Sequence, residues 1–153
     1  MSSPAQIPDL TAHMGFWLRM VSNHVSQAFA AKLAAKEVTV AEWSLVRTLY
    51  GKAPTPPSRL ADEMGMTRGA ITKLADRLIA KVLITRAADA KDGRAQTLAL
   101  TERGTRLVPE LATLADRNDA EFFGCLTQEE RKTLAQLLKT LAERSHMTAI
   151  PIA

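Results

Sequence analysis

The stretch that most constrains this chain runs from Thr55 to Thr101 and reads TPPSRLADEMGMTRGAITKLADRLIAKVLITRAADAKDGRAQTLALT. Its spacing predicts a short helix, a tight turn, a second helix and a basic β-hairpin. Thr55 is the expected N-cap of the first helix, with Pro56 in the first turn, where a missing N–H costs nothing. Leu60, Ala61 and Met64 recur at helical spacing, and Gly65 can take the left-handed conformation that stops a helix. Thr67 is the next expected N-cap, and Ile71, Leu74, Leu78 and Val82 form the buried stripe of the second helix. That stripe leaves Arg68, Gly69, Thr72, Lys73 and Asp76 on the solvated face. Two short helices joined by a Gly-containing turn make a helix-turn-helix, whose second helix can enter a DNA major groove.

Two strands are expected next, Ile84-Thr85-Arg86 and Gln96-Thr97-Leu98-Ala99-Leu100, the second alternating apolar residues at Leu98 and Leu100. Between them, Ala87 to Ala95 has the Asp and Gly content of a hairpin tip, with Lys91 and Arg94 projecting. A helix-turn-helix followed directly by a basic hairpin is a winged helix. The thin ribbon has a physical use, because it can carry a guanidinium into the narrow, strongly negative minor groove.

Charge follows the same segment. The whole chain carries a formal net charge of +4, yet from Thr67 to Arg106 there are nine Lys or Arg against four Asp or Glu, a local excess of five. A polyanionic partner, most simply duplex DNA, fits that distribution. No run approaches the roughly 20 apolar residues of a membrane span. The start, MSSPAQIPDL, lacks the basic and apolar regions of a signal peptide. A single Cys125 rules out an intramolecular disulfide and fits a reducing compartment, so a cytoplasmic location is expected. Catalytic patterns are missing: His13, His24 and His146 are scattered, and no HExxH, CxxC or Gly-rich phosphate loop occurs. Neither enzymatic activity, a metal site nor a cofactor is expected.

On either side of the winged helix lie long amphipathic segments. From Asp9 to Lys36, Leu10, Met14, Trp17, Leu18, Val21, Val25, Ala28, Phe29 and Leu33 make a wide apolar stripe, with Phe16 and Met20 off it. Thr39-x-x-Glu42 is a capping box that opens a further helix, whose inward face is Val46, Leu49 and Tyr50. After the wing, a helix from Thr101 to Gly124 carries Leu107, Leu111, Leu114, Ala115, Asn118 and Phe122, with a bend expected at Pro109. A second capping box, Thr127-x-x-Glu130, opens the last helix, striped by Leu134, Leu137, Leu138 and Leu141. The expected fold is therefore mainly α with a small β-hairpin wing, α+β in class. A DNA-binding winged helix-turn-helix region spans 39–100, helical dimerisation regions span 9–36 and 101–146, and flexible termini lie at 1–8 and 147–153. Surplus apolar surface on the terminal helices is what calls for a second copy of the chain.

The core of this pattern, LADEMGMTRGAITKLADRLIAKVLITRAADAKDGRAQTLALTERG, resembles the multiple-antibiotic-resistance regulator (MarR) family of transcription factors. That family carries an Asp-Pro-x-Asp-Arg-Arg signature in its wing and a Leu-Thr-x-x-Gly entry into the next helix. Here the wing reads Asp89-Ala90-Lys91-Asp92-Gly93-Arg94 and the entry Leu100-Thr101-Glu102-Arg103-Gly104. Ala90 stands for the Pro and Gly93 for the first Arg, which leaves Arg94 beside Lys91 as the tip cations. In outline the resemblance runs from Leu10 to Arg144. It implies a homodimer whose first and last two helices interlock across a two-fold axis, acting more often as repressor than activator. It also implies a response to small aromatic acids, phenols, drugs or oxidants bound where the dimer helices meet the reading domain.

Specific residues follow. Arg68 is expected to pair with a guanine edge and Thr72 to touch a thymine methyl or a phosphate, whereas Lys73, Arg77 and the helix start near Thr67 face phosphates, with Gly69 on the same DNA-facing side. Ser58 and Arg59 are expected on the backbone. In the wing, Arg94 is the minor-groove residue, with Lys91 beside it and Asp92 holding the Arg94 guanidinium. For the small aromatic effector implied by the resemblance, His13, Trp17, His24, Trp43 and Arg47 lie on the helices that would line its site. Double-stranded DNA with a pseudo-palindromic operator is the expected partner. The alternative is a winged-helix module that binds protein, which high salt would not dissociate as steeply.

Overall fold

The computed structural model describes residues 6–152, so residues 1–5 of the expected loose N-terminus lie outside the described residues. A short 3-10 turn, Leu10–Ala12, precedes α1 (Met14–Ala34). Then come α2 (Val40–Leu49), α3 (Pro57–Met64), α4 (Arg68–Ala80), β1 (Ile84–Ala88), β2 (Gln96–Leu100), α5 (Glu102–Phe123) and α6 (Gln128–Arg144). The two strands pair antiparallel, with Ile84 opposite Leu100 and Ala88 opposite Gln96. A mainly helical chain with a β-hairpin wing is thus what the sequence folds into.

Both capping boxes form, Thr39 with Glu42 and Thr127 with Glu130, and the hydroxyls of Thr67 and Thr101 accept from the N–H groups of Ala70 and Gly104. One core runs through the molecule, from Leu33 of α1 through Leu45, Leu60, Ile71, Leu78 and Leu98 to Val108 and Leu111 of α5. Pro109 sits inside α5 without ending it. Asn118, buried in α5, donates to the Val25 carbonyl at 3.1 Å and accepts from Lys32 Nζ at 3.0 Å, which clamps α5 to α1.

Four local expectations are corrected. The first helix of the helix-turn-helix does not start from Thr55: Pro57 forces the residue before it out of the helical region, so Pro56 is the extended N-cap and Pro57 the first helical residue. Thr55 instead exchanges two backbone hydrogen bonds with Leu98, at 2.9 and 2.8 Å, adding a one-residue third strand to the wing. Tyr50 is exposed beyond the end of α2, and Leu45 takes the inward place. Val82 is not in the buried stripe, because α4 ends at Ala80 and Val82 is 56% exposed. Residues 147–152 are not loose throughout, since Ile150 donates its N–H to the Met64 carbonyl at 3.0 Å and packs on the core.

The end of α4 explains the Val82 correction. Leu83 donates its N–H to the Leu78 carbonyl and Val82 to that of Ile79, both at 2.9 Å, the double bond of a Schellman stop. This motif puts the residue between Lys81 and Leu83 in the left-handed region, and Val82 has φ +61 there. Leu83 then drops into the core in its place. The Leu-Thr-x-x-Gly entry completes the joint. Thr101 donates through its hydroxyl to the Val82 carbonyl at 2.7 Å, and a Cβ on Gly104 would come within 2.1 Å of the Leu83 oxygen. Only glycine lets α5 approach the end of the recognition helix this closely.

The outer helices are packed differently. Leu10, Met14, Trp17, Leu18, Met20 and Val21 are exposed on the N-terminal side, and α6 buries none of its own residues, with Leu137 at 56% and Leu141 at 55% exposure. Apolar stripes of this length left open to water are incomplete surfaces.

Candidate nucleic-acid interface and ligand cleft

Helix α4 separates its two faces cleanly. Ile71, Leu74, Ala75 and Leu78 are buried, while Arg68, Gly69, Thr72, Lys73, Asp76 and Arg77 are exposed. The start of the helix is open: nothing lies within 4 Å of a Cβ built on Gly69, so a phosphate or base edge can approach the backbone there. Neither Arg68 nor Lys73 is held by an ion pair among the described residues. Thr72 has its hydroxyl turned back onto the Arg68 carbonyl at 2.9 Å, which leaves its methyl group for apolar contact. Ser58 and Arg59 are exposed in the first turn of α3.

Arg77 is differently engaged. Its guanidinium lies 3.5 Å from Glu42 Oε1 and 3.3 Å from the Thr39 hydroxyl. Lys81, one turn on, donates to Glu42 Oε1 at 3.1 Å and to the Glu37 carbonyl at 2.6 Å, and its Nζ sits 2.9 Å from Glu42 Oε2 in a charge contact rather than an aligned hydrogen bond. Glu42 is fully buried. Burial pushes its carboxyl pKa up, but hydrogen bonds from Lys81 and Thr39 and the Lys81 charge outweigh that and hold it below the usual carboxylate value. Arg77 of α4 and its C-cap Lys81 thereby tie the end of the helix to α2.

The wing is locked to the same helix by Arg86 of β1, whose guanidinium donates to Asp76 at 2.8 Å. At its tip Asp89 donates its N–H to the Ala95 carbonyl at 2.8 Å. The two tip carboxylates act on the backbone: Asp89 accepts from the Lys91 N–H at 2.9 Å and Asp92 from the Arg94 N–H at 3.1 Å. Asp92 therefore shapes the turn rather than holding the Arg94 guanidinium, because an Asp two residues back reaches the amide before it reaches the end of a long side chain. Lys91 and Arg94 are left exposed at the tip.

The five residues expected at an effector site do not converge within one chain. Trp43 alone lines a cleft, of about 220 Å³, between α1, α2 and α5, with Val25, Phe29, Ala115 and Asn118 around it. Phe29 meets Trp43 edge to face, 6.4 Å between centroids. Arg47 lies over the Tyr50 ring at 5.7 Å, and His24 packs on Phe122 at 5.4 Å. His13 stands at the N-cap position of α1 without a side-chain capping bond, and Trp17 donates its indole N–H to the Thr11 carbonyl at 2.8 Å, both toward the exposed N-terminal end. Phe29 was legible only as one member of a long stripe, and nothing in its spacing marks it as lining a cleft. No group of three or more potential metal-ligating side chains exists among the described residues.

Comparison with known proteins gives a consistent result. The model of the MarR family matches residues 37–95, from just before α2 to the wing tip. A relative from Thauera aromatica, whose name assigns it provisionally to transcriptional regulation of the hcr operon, is 28% identical over 140 residues, covering 91% of this chain and 84% of that protein. Among solved structures, YusO from Bacillus subtilis is 26% identical with a TM-score of 0.71, over 93% of this chain and 99% of that one. A mutant MarR from E. coli, crystallised with operator DNA, is 25% identical with a TM-score of 0.74, over 84% of this chain and 92% of that one.

Proposed function

From its similarity to the MarR family over residues 37–95, we propose that this chain is a transcriptional regulator that binds a pseudo-palindromic operator as a homodimer and acts as a repressor released by a small aromatic acid. The observation that carries the DNA reading is the exposed start of α4, where Arg68, Gly69, Thr72 and Lys73 face outward while Arg77 and Lys81 are spent on Glu42. In this reading Arg68 pairs with a guanine edge, the Thr72 methyl meets a thymine, and Lys73 with the Thr67 helix start neutralises phosphate. Ser58 and Arg59 touch backbone, and Arg94 with Lys91 enters the minor groove from a tip shaped by Asp92.

The dimer reading assigns 9–36 and 101–146 to assembly and 39–100 to DNA. Its support is the uncovered apolar face of α6 and of the N-terminal half of α1. Two recognition helices in such a dimer must sit about 34–36 Å apart to enter successive major grooves. A ligand wedged at the Trp43 cleft would favour a spacing that no longer fits, provided it binds that state better. Among the described residues no helix is long and apolar enough to cross a membrane, and with one exposed, unpaired Cys125 this favours a cytoplasmic place of work.

A gel shift on the duplex flanking the chain's own gene tests the proposal. Retardation at low salt, steep loss at high salt and release by salicylate are the expected results. Binding that ignores salt would favour a protein-docking winged helix instead.

A further inference from the structure

The last residues of the chain return to the helix-turn-helix. After α6 the backbone turns through His146, at φ +53, and runs back so that Ile150 donates its N–H to the Met64 carbonyl. Ala149 lies against the turn itself: a Cβ on Gly65 would meet Ala149 Cα at 2.6 Å. Ile150 and Pro151 then close a cavity of about 280 Å³ whose other walls include Phe29, Val40 and Trp43.

The position of this segment gives it leverage. Met64 and Gly65 form the joint between α3 and α4, two residues ahead of the Thr67 cap that starts the recognition helix. Gly65, already at φ +63, is required a second time by the approach of Ala149. The segment MTAIPI carries no charge, so seating it desolvates no ion, and Pro151 limits the entropy lost on ordering it. At its other end it is continuous with α6, the helix that touches least of its own chain. One short strand of backbone thus connects an assembly helix to the hinge of the reading unit.

We infer that Met147–Ile152 is a strap. Seated, it fixes the helix-turn-helix joint to α6 and covers the Phe29–Trp43 surface; a small aromatic acid entering against those two rings and the strap exclude one another. The first half stands on the contacts above, and the second rests on placing the ligand-responsive site in the cavity that Ile150 and Pro151 close, which shares Phe29 and Trp43 with the cleft between α1, α2 and α5. Ligand entry there frees the joint from α6, and a ligand must displace the strap before it gains the ring surface that the strap covers, which weakens its apparent affinity by the fraction of time the strap is open.

The test is amide hydrogen exchange on the full-length protein, comparing the natural sequence with Ile150→Asn, Pro151→Glu and, as a control beyond the cleft, Ile152→Asn. The Ile150 amide is expected to exchange at least tenfold slower than in an unfolded chain. In Ile150→Asn and Pro151→Glu that protection is lost and Met66 exchanges faster, while α5 and the Ile152→Asn control stay unchanged. An unprotected Ile150 amide in the natural chain, or Met66 exchange indifferent to both variants, overturns the strap. Salicylate supplies the second arm, with binding read by calorimetry. It is expected to bind several-fold tighter to Ile150→Asn and to abolish Ile150 protection in the natural chain. Bound salicylate with Ile150 still protected overturns the exclusion. No binding to any variant overturns the exclusion and the ligand reading together, while the ligand-free exchange result still decides the strap.

Discussion

Lys81 Nζ lies 2.9 Å from Glu42 Oε2, joining the C-terminal end of the recognition helix to a carboxylate that is fully buried in α2. The same carboxylate completes the Thr39 capping box, accepting from the Thr39 N–H at 2.9 Å. One side chain therefore sets both where α2 begins and how α4 lies against it.

Glu42→Gln is expected to destabilise the fold by about 1–3 kcal/mol at neutral pH, since it removes a buried charge partner while keeping the shape. Lys81 and Arg77 are partly solvated, which places the loss toward the lower end. The pH dependence has a definite sign. Glu42 titrates below its usual value of 4.5 when folded, so its contribution is complete above that value and is lost as pH falls through the folded pKa. Thermal melts from pH 7 down to pH 3 should show the natural chain losing its advantage over Glu42→Gln in that acid range.

Val82→Gly should stabilise the protein. A β-branched residue at φ +61 carries left-handed strain of about 1–2 kcal/mol, and glycine relieves it at a smaller cost in unfolded-chain entropy. A net gain of about 1 kcal/mol corresponds to a rise of about 2–4 °C in the melting midpoint for a chain of this size. Calorimetry of the pair checks it, and an unchanged or lower midpoint would mean that Val82 is unstrained.

The DNA face divides into separable roles. Arg68→Ala is expected to cost about 1–3 kcal/mol on the preferred duplex and to relax sequence preference. Lys73→Ala should weaken binding to all duplexes alike and lower the salt slope by about one unit. Arg94→Ala should reduce affinity most on duplexes with a narrow, A·T-rich minor groove. Titrations at several salt concentrations on two unrelated duplexes distinguish the three.

Leu137→Glu places a charge on the open face of α6, where Leu137, Leu138 and Leu141 are exposed on a single chain. The variant is expected to sediment as a monomer with helicity retained and to lose operator binding. A Leu137→Glu dimer would relocate the assembly surface away from α6.

The parts of the fold that the residue pattern made legible are those fixed by local chemistry. Caps at Thr39, Thr67 and Thr127 and the stop at Gly65 are all decided within a few residues of themselves. What stayed hidden depends on distant partners. Spacing alone puts Val82 one turn after Leu78, and only the approach of Thr101 and Gly104 shows why Leu83 takes the core instead. Glu42 reads as a capping residue, but its burial comes from Lys81 and Arg77 reaching back from α4. In the same way, spacing reads Arg77 as a phosphate ligand but does not show that Glu42 stands beside it. The exposed face of α4 was readable because it is simply the complement of a buried stripe. Which aromatic rings share a cleft was not, since Phe29 and Trp43 are brought together by the crossing of two helices.

In the proposed dimer, the leucines that α6 leaves uncovered make assembly a matter of abundance. There a solitary chain carries one reading head and an adhesive helix, and it gains its second head by meeting another of its kind. When chains are scarce, the population able to grip both halves of a site grows with the square of their number, so a modest change in expression becomes a sharper change in occupancy.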